Sequence, residues 1–143
     1  PLSTSRMERI EVLTRQLCAA NWKEVVDEAK PRVSFVGAND LYEMKRANNN
    51  LCILDVREDN EVKTMPIPFW LKPVHIGRGV LERECATCLP DKNQEIVCVC
   101  AGGMRSIKTA ETLTNLGYKK VHSLKTGAST LCAGHPLAQP TIR

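Results

Sequence analysis

The sequence predicts an α/β fold, a mainly parallel sheet with helices on both faces. Three observations carry this. Two apolar runs of strand length, Leu51 to Leu54 and Glu95 to Cys100, are nearly continuous rather than alternating, as strands covered on both faces require. Stretches with helical spacing of apolar residues alternate with them along the chain, the pattern of βα units whose strands pair in parallel. A glycine-containing segment, Cys98 to Ser106 (CVCAGGMRS), joins the second run to a helical pattern over Met104 to Leu116.

At 143 residues, with 43% hydrophobic and 25% charged side chains, the chain matches an ordinary globular domain with a sizeable core. We expect an N-terminal helical extension over residues 1–32 and the α/β domain over 33–143. The net charge of +4 suits small anionic substrates but lacks the basic stripe of nucleic-acid binders. No apolar run approaches the ~20 residues of a membrane span, and no secretory segment opens the chain. It begins at Pro1 rather than Met, as a processed or expressed fragment would. Seven cysteines, an odd number scattered over the chain, argue for thiol chemistry in a reducing, cytoplasmic setting rather than a disulfide framework.

The elements follow in order. After residues 1–5, expected to fray, Met7, Ile10, Leu13 and Leu17 recur at helical spacing. A second helix, Trp22 to Ala29, carries Trp22, Val25, Val26 and Ala29 and stops at Pro31. Val33 to Val36 reads as a short strand. Gly37 breaks it, and Asn39 or Asp40 caps a helix through Ala47. Asn48 to Asn50 is a turn. Asp55 stands at the carboxyl end of the Leu51–Leu54 strand, where sites collect in open α/β sheets. Glu58 to Lys63 forms a helical turn. From Thr64 to Pro73, three prolines exclude helix and central strand. Phe69, Trp70 and Leu71 there either line a mouth or partner surface, or pin the loop to the core.

Val74 to Ile76 is a short strand, and Gly77-Arg78-Gly79 turns into a short helix, Val80 to Glu84. Arg78 is read as a solvated arginine, with an anionic substrate as the alternative. Cys85-Ala-Thr-Cys88 is read as two loop thiols, with a redox pair as the alternative. A zinc site lacks a second ligand pair at a defensible spacing, although His75, His122, Cys98 and Cys132 are available. Cys98 and Cys100 share one side of their strand, and Cys98 is expected to be buried and inert. Ile107, Ala110, Leu113 and Leu116 mark the core stripe of the next helix, and Gly117 caps its end. Lys119 to Leu124 is the last strand, Gly127 turns the chain beyond it, and residues 135–143 form a loosely attached tail.

Cys100 is the candidate nucleophile. It ends a strand where a helix is about to begin, so backbone N–H groups of the turn and of the helix start are all expected to point toward its sulfur. Gly102 and Gly103 let the loop curl with positive φ, and Arg105 adds a permanent cation. A free thiol is only a few per cent thiolate at neutral pH, so such groups are what a nucleophilic cysteine needs. By themselves these residues indicate an anion-binding nucleophilic cysteine; the bland alternative is a small buried hydrophobe.

Cys100-Ala101-Gly102-Gly103-Met104-Arg105-Ser106 resembles the active-site loop Cys-x-x-Gly-x-Arg-Ser of rhodanese-like sulfurtransferases. Further matches come in the family's order: Leu54-Asp55-Val56-Arg57-Glu58, the segment Val74 to Glu82, the segment Gly117 to Leu124, and Gly134-His-Pro136. The resemblance spans Val33 to the C-terminus. It implies a rhodanese-like three-layer fold without metal or cofactor, and a structural Arg57 paired with a nearby acid such as Glu61. It also implies that Cys100 accepts sulfane sulfur from thiosulfate or a similar small anion. Ala101, Gly102, Gly103, Met104, Arg105 and Ser106 would bind the donor. Cyanide, a thiol or a protein acceptor would then remove the sulfur.

The chain departs from the family in three places. Residues 64–73 replace a shorter Gly-His-Ile-Pro-Gly-Ala segment, Thr126-Gly127 replaces two glycines, and Leu131 stands where the family has tryptophan. Phosphatases and arsenate reductases of the same fold place five residues between cysteine and arginine. Here there are four, Ala101 to Met104, which fits a sulfur-centred group better. A non-catalytic or sulfur-carrier module that binds a protein partner is the other alternative; such modules often lose the cysteine, which this chain keeps.

Overall fold

In the computed structural model of the protein, residues 6–11 and 21–131 are described. The chain divides into two units, residues 1–32 and 33–143. In the first, residues 6–11 are helical with Met7 and Ile10 exposed. Helix α1 (Trp22–Ala29) starts at Asn21, whose side chain accepts the Glu24 N–H at 3.1 Å. It runs into a 3₁₀ turn, Lys30–Arg32, that contains Pro31. Of the expected stripe, Val26 and Ala29 are buried, Val25 is half-buried and Trp22 is exposed. Leu13, Leu17, Cys132, the Gly134–Pro136 motif, residues 1–5 and the 135–143 tail lie outside the described residues.

The second unit is built on five strands: β1 (Ser34–Val36), β2 (Cys52–Asp55), β3 (Val74–His75), β4 (Glu95–Val99) and β5 (Lys120–Leu124). They pair in the order β1-β5-β4-β2-β3, all parallel. The four helices between them are α2 (Ala38–Ala47), α3 (Asp59–Thr64), α4 (Leu81–Cys88) and α5 (Arg105–Asn115). Strand periodicity sorts the side chains into two cores. Cys52, Leu54, Ile96 and Cys98 pack with Leu81 and Cys85 of α4 and Ala110 and Leu113 of α5. Ile53, Val97 and Val99 pack with Leu41 and Tyr42 of α2 and with Ile67, Leu71 and Leu131. Helical layers therefore cover both faces, which is why the central strands read as continuous apolar runs.

This topology positions the site. The β4-to-β5 connection crosses one face through α5, and the β2-to-β3 connection, carrying Ile67 and Leu71, crosses the other. The chain thus leaves the neighbouring strands β4 and β2 in opposite directions, and their carboxyl ends flank the switch point where α/β sheets place their ligands.

Several local expectations change. The N-cap of α2 is Gly37, not Asn39 or Asp40; Asp40 instead reaches back to accept the Gly37 N–H at 3.1 Å. Helix α4 extends through Cys88, so the Cys85–Cys88 pair lies on the last helical turn rather than in a loop. Leu116 is 40% exposed, beyond the end of α5, where Gly117 turns the chain with φ +99°. The loop of residues 64–73 is pinned to the core. Ile67 and Leu71 are buried and Trp70 stacks on Tyr42 with ring centroids 5.8 Å apart, while Phe69 is 84% exposed.

Arg78 is not a free solvated arginine: it donates to Glu82 at 2.8 Å and to the Thr112 hydroxyl at 3.4 Å. Arg57 forms its ion pair with Asp55, not Glu61. Its Nε and Nη2 donate to the two carboxylate oxygens at 3.0 and 2.8 Å, with both side chains 2% exposed. The two-residue spacing across the β2 terminus folds the guanidinium back onto the Asp55 carboxylate. The remaining arm reaches the carbonyls of Met65 at 2.8 Å and Glu61 at 3.4 Å. Removing one partner of a buried pair strands the other charge, so Asp55→Ala is expected to destabilise the domain by about 3–5 kcal/mol in chemical denaturation.

Candidate active site

Cys100 follows the last residue of β4, with the helix start at Arg105 five residues on. Two close approaches shape the loop between them. The Ala128 N–H donates to the Cys100 carbonyl at 2.8 Å. Gly127, at φ +82°, lies so near the Ala101 carbonyl that a β-carbon there would sit 2.1 Å from the oxygen. Gly103, at φ +88°, faces the Lys125 carbonyl, which would be 3.0 Å from an added β-carbon. Gly102 has neither a positive φ nor any atom within 4 Å of such a carbon. The curl therefore depends on Gly103 alone, not on both glycines of the pair.

The Cys100 sulfur accepts two backbone N–H groups, Gly103 at 3.1 Å and Ser106 at 3.3 Å. The expectation that all loop and helix-start amides converge on it is too broad. The Ile107 and Lys108 N–H groups are already bonded to the Met104 carbonyl within the helix start. Hydrogen bonds to an ionised group contribute about 1.5–3 kcal/mol each and a helix end about 0.3–1 kcal/mol. The two amides are thus the larger influence on a Cys100 thiolate. The thiol also lies 3.5 Å from the Ser106 hydroxyl, which in turn accepts a 2.8 Å hydrogen bond from Ser123 on β5. Cys100, Ser106 and Ser123 are all fully buried, whereas Ala101, Gly102 and Met104 are exposed.

Arg105 carries the third feature. Its Nη1 and Nη2 donate to the two Glu61 carboxylate oxygens at 2.7 and 2.9 Å. Glu61 also accepts the Glu58 N–H at 2.9 Å, closing the first turn of α3. Chiefly through the Arg105 hydrogen bond, the Glu61 carboxyl is held down from its ordinary 4.5 to about 2.

The remaining described cysteines differ from Cys100 in their surroundings. Burial pushes the Cys52 thiol up to about 11, and it pushes Cys98 up further, so both stay protonated at neutral pH. Cys85 is buried and Cys88 exposed. Among the described residues no group of three or more His, Cys, Asp or Glu side chains is placed to hold a metal ion. His75 contacts the Arg57 carbonyl at 2.7 Å, and His122 bridges Ser34 at 2.8 Å and Glu95 at 2.9 Å.

The structure thus brings Cys100, Gly103 and Ser106 together at the sulfur and places Arg105 against Glu61. Sequence reasoning did not find Ser123, and it named Glu61 only as an acid for Arg57, not as the partner of Arg105. Glu61 carried a signal, an acid three residues after Glu58 at the start of a helical turn. Ser123 carried none, because its role arises from the parallel register that sets it beside Cys98.

Residues 37–133 match the family model for the rhodanese-like domain. The chain belongs to the rhodanese-like domain family. It is 38% identical over 82 residues to YtwF of Bacillus subtilis (strain 168), whose name carries a provisional sulfurtransferase assignment; the match covers 57% of this chain and 75% of YtwF. It is 36% identical over 81 residues to YrkF of the same organism, provisionally named a sulfur carrier protein, covering 57% of this chain and 41% of that relative. The solution structure of the polysulfide-sulfur transferase homodimer of Wolinella succinogenes superposes with a TM-score of 0.66 at 27% identity, over 76% of this chain and 79% of that one. Sulfur transfer in general is the activity class that these rhodanese matches support. Among the described residues no helix is long and apolar enough to cross a membrane.

Gly103→Ala is expected to cost about 1–2 kcal/mol for its left-handed backbone, and Gly102→Ala less than about 0.5 kcal/mol; parallel urea melts compare them. The Glu61–Arg105 pair stabilises the fold fully above pH 4.5 and is lost as pH falls toward about 2, because Glu61 is depressed in the folded state. The stability gap between wild type and Glu61→Gln is therefore expected to be constant above that range and to narrow within it, read from denaturation midpoints at stepped pH.

Proposed function

We propose that this protein is a sulfurtransferase that moves sulfane sulfur from thiosulfate or a similar donor, through a persulfide on Cys100, to cyanide or a thiol. The observation that carries this reading is the pair of backbone N–H groups on the sulfur of a cysteine at the carboxyl end of β4. In the first half-reaction the Cys100 thiolate attacks the outer sulfur of the donor. A new S–S bond forms, the donor's own S–S bond breaks, and sulfite departs with the electron pair. In the second, an acceptor nucleophile attacks the outer sulfur of the persulfide, and the Cys100 thiolate leaves. The Gly103 and Ser106 amides, which donate to this sulfur, would also hold the charge that returns to it. Of the loop from Ala101 to Ser106, the exposed Ala101, Gly102 and Met104 form the rim that the donor meets, with Arg105 half-buried and Gly103 and Ser106 beneath.

The four-residue spacing between Cys100 and Arg105 favours a sulfur-centred group over phosphate or arsenate. The likeness to YrkF favours a second reading, in which the persulfide is handed to a protein acceptor instead of a small molecule. Residues 1–32, helical at 6–11 and at Trp22–Ala29, are then an extension to the catalytic domain, and the thiol-rich composition fits a cytoplasmic setting.

Intact-protein mass after brief exposure to thiosulfate tests this. Wild type is expected to gain one sulfur, about 32 Da, that cyanide removes, and Cys100→Ser is expected to gain none. A gain that survives in Cys100→Ser contradicts the assignment of Cys100. Loading that thiols discharge slowly but a partner protein discharges fast supports the carrier reading.

A further inference from the structure

Arg105 does not reach the donor site as an unshared cation. Both of its terminal nitrogens lie on the Glu61 carboxylate, at 2.7 and 2.9 Å, with each side chain 29% exposed. Such a two-pronged pair fixes the guanidinium in geometry and nearly cancels its charge at a distance. Partial burial limits the screening that water and salt would give. The acid is set in place independently of Arg105: its Oε1 also accepts the Glu58 N–H at 2.9 Å, and the carbonyls of Glu61 and Met65 are held by Arg57. A second acid, Glu58, adds its field at Arg105. A donor approaching Cys100 therefore meets two backbone amides and a neutral ion pair.

Resting on the sulfur-transfer reading above, we propose that Glu61 is a positioning residue that sets donor charge, so that the site selects hydropersulfides (R–S–SH) of low charge over dianionic donors such as thiosulfate. A dianion draws little net attraction from Arg105 and must either displace Glu61 or lie beside it as a like charge. A hydropersulfide needs no cation. The Cys100 thiolate attacks its terminal sulfur, a Cys–S–SH bond forms, the R–S bond to that sulfur breaks, and R–S⁻ leaves with the electron pair while the proton stays on the transferred sulfur. The Gly103 and Ser106 amides serve this reaction without any change in their partners.

The test compares donors of different charge on the full chain. Glu61→Gln removes the charge but keeps an oxygen for the Glu58 N–H; Glu61→Asp keeps the charge. The readout is kcat/KM for sulfur loading with thiosulfate and with 2-hydroxyethyl hydropersulfide. In Glu61→Gln the thiosulfate-to-hydropersulfide ratio is expected to rise about 10-fold, the shift that one like charge at close range produces, and Glu61→Asp is expected to keep the wild-type ratio. A ratio unchanged in Glu61→Gln, both donors slowing alike, makes Glu61 merely structural and overturns the proposal.

Alkylation of Cys100 by iodoacetate against iodoacetamide, mapped by peptide mass, reads the same discrimination without sulfur transfer. Relative to a free thiol, the wild-type protein is expected to disfavour the anionic reagent, and Glu61→Gln to relieve this. An iodoacetate preference in wild type overturns the proposal even if no variant folds. Failure of both donors to load sulfur, with the alkylation contrast intact, removes the sulfur-transfer reading and the choice of hydropersulfide with it, and leaves the charge-setting role of Glu61 standing.

Discussion

The Arg57 guanidinium ties the site together. Three of its nitrogens close the carboxyl end of β2 onto the following segment, two on Asp55 and one on the carbonyls of Met65 and Glu61. Helix α3 is only six residues long and has no buried residue of its own. A helix that short is not stable by propensity, so its position is set by what grips it. Arg57 grips it at the C-terminal end, and the Glu58–Glu61 contact closes the N-terminal one. Glu61 is then held where Arg105 can meet it. The buried ion pair at the carboxyl end of β2 thus fixes a second, partly exposed pair near Cys100.

The other side of the site is held by backbone, not charge. Ala128 and Gly127 press on Cys100 and Ala101 from the segment after β5, and Lys125 limits Gly103. Because these contacts are between main-chain atoms, the loop has little freedom to relax around a substitution. The same contacts turn the Gly103 N–H toward the sulfur, while the start of α5 supplies the Ser106 N–H. The sulfur is therefore served by one amide from the loop and one from the helix, each placed by a different part of the fold.

Much of this was legible in the sequence. The parallel three-layer sheet follows from continuous apolar runs at Leu51–Leu54 and Glu95–Cys100 alternating with helical stripes, because strands covered on both faces have no polar side to show. Cys100 was legible as the nucleophile candidate from its place between a strand and a helix. Partners set by tertiary geometry were not. Arg57 could be matched with an acid by spacing, but the choice of Asp55 over Glu61 depends on how the β2 terminus folds back. That in turn released Glu61 to Arg105, a pairing across 44 positions that no local pattern encodes. Likewise, of two adjacent glycines only Gly103 has the left-handed backbone and a close approach to the Lys125 carbonyl, neither of which the local pattern distinguishes. The length of α4 was underestimated because its last turn, with Cys85 inward and Cys88 outward, lacks a longer apolar repeat.

The most direct test of the central claim is an experimental structure of the protein after treatment with a sulfane donor. One added sulfur is expected on Sγ of Cys100, with the Gly103 and Ser106 amides still within about 3.5 Å of the sulfur pair. An unmodified Cys100 with the added sulfur on the exposed Cys88 would contradict it and move the chemistry to the end of α4.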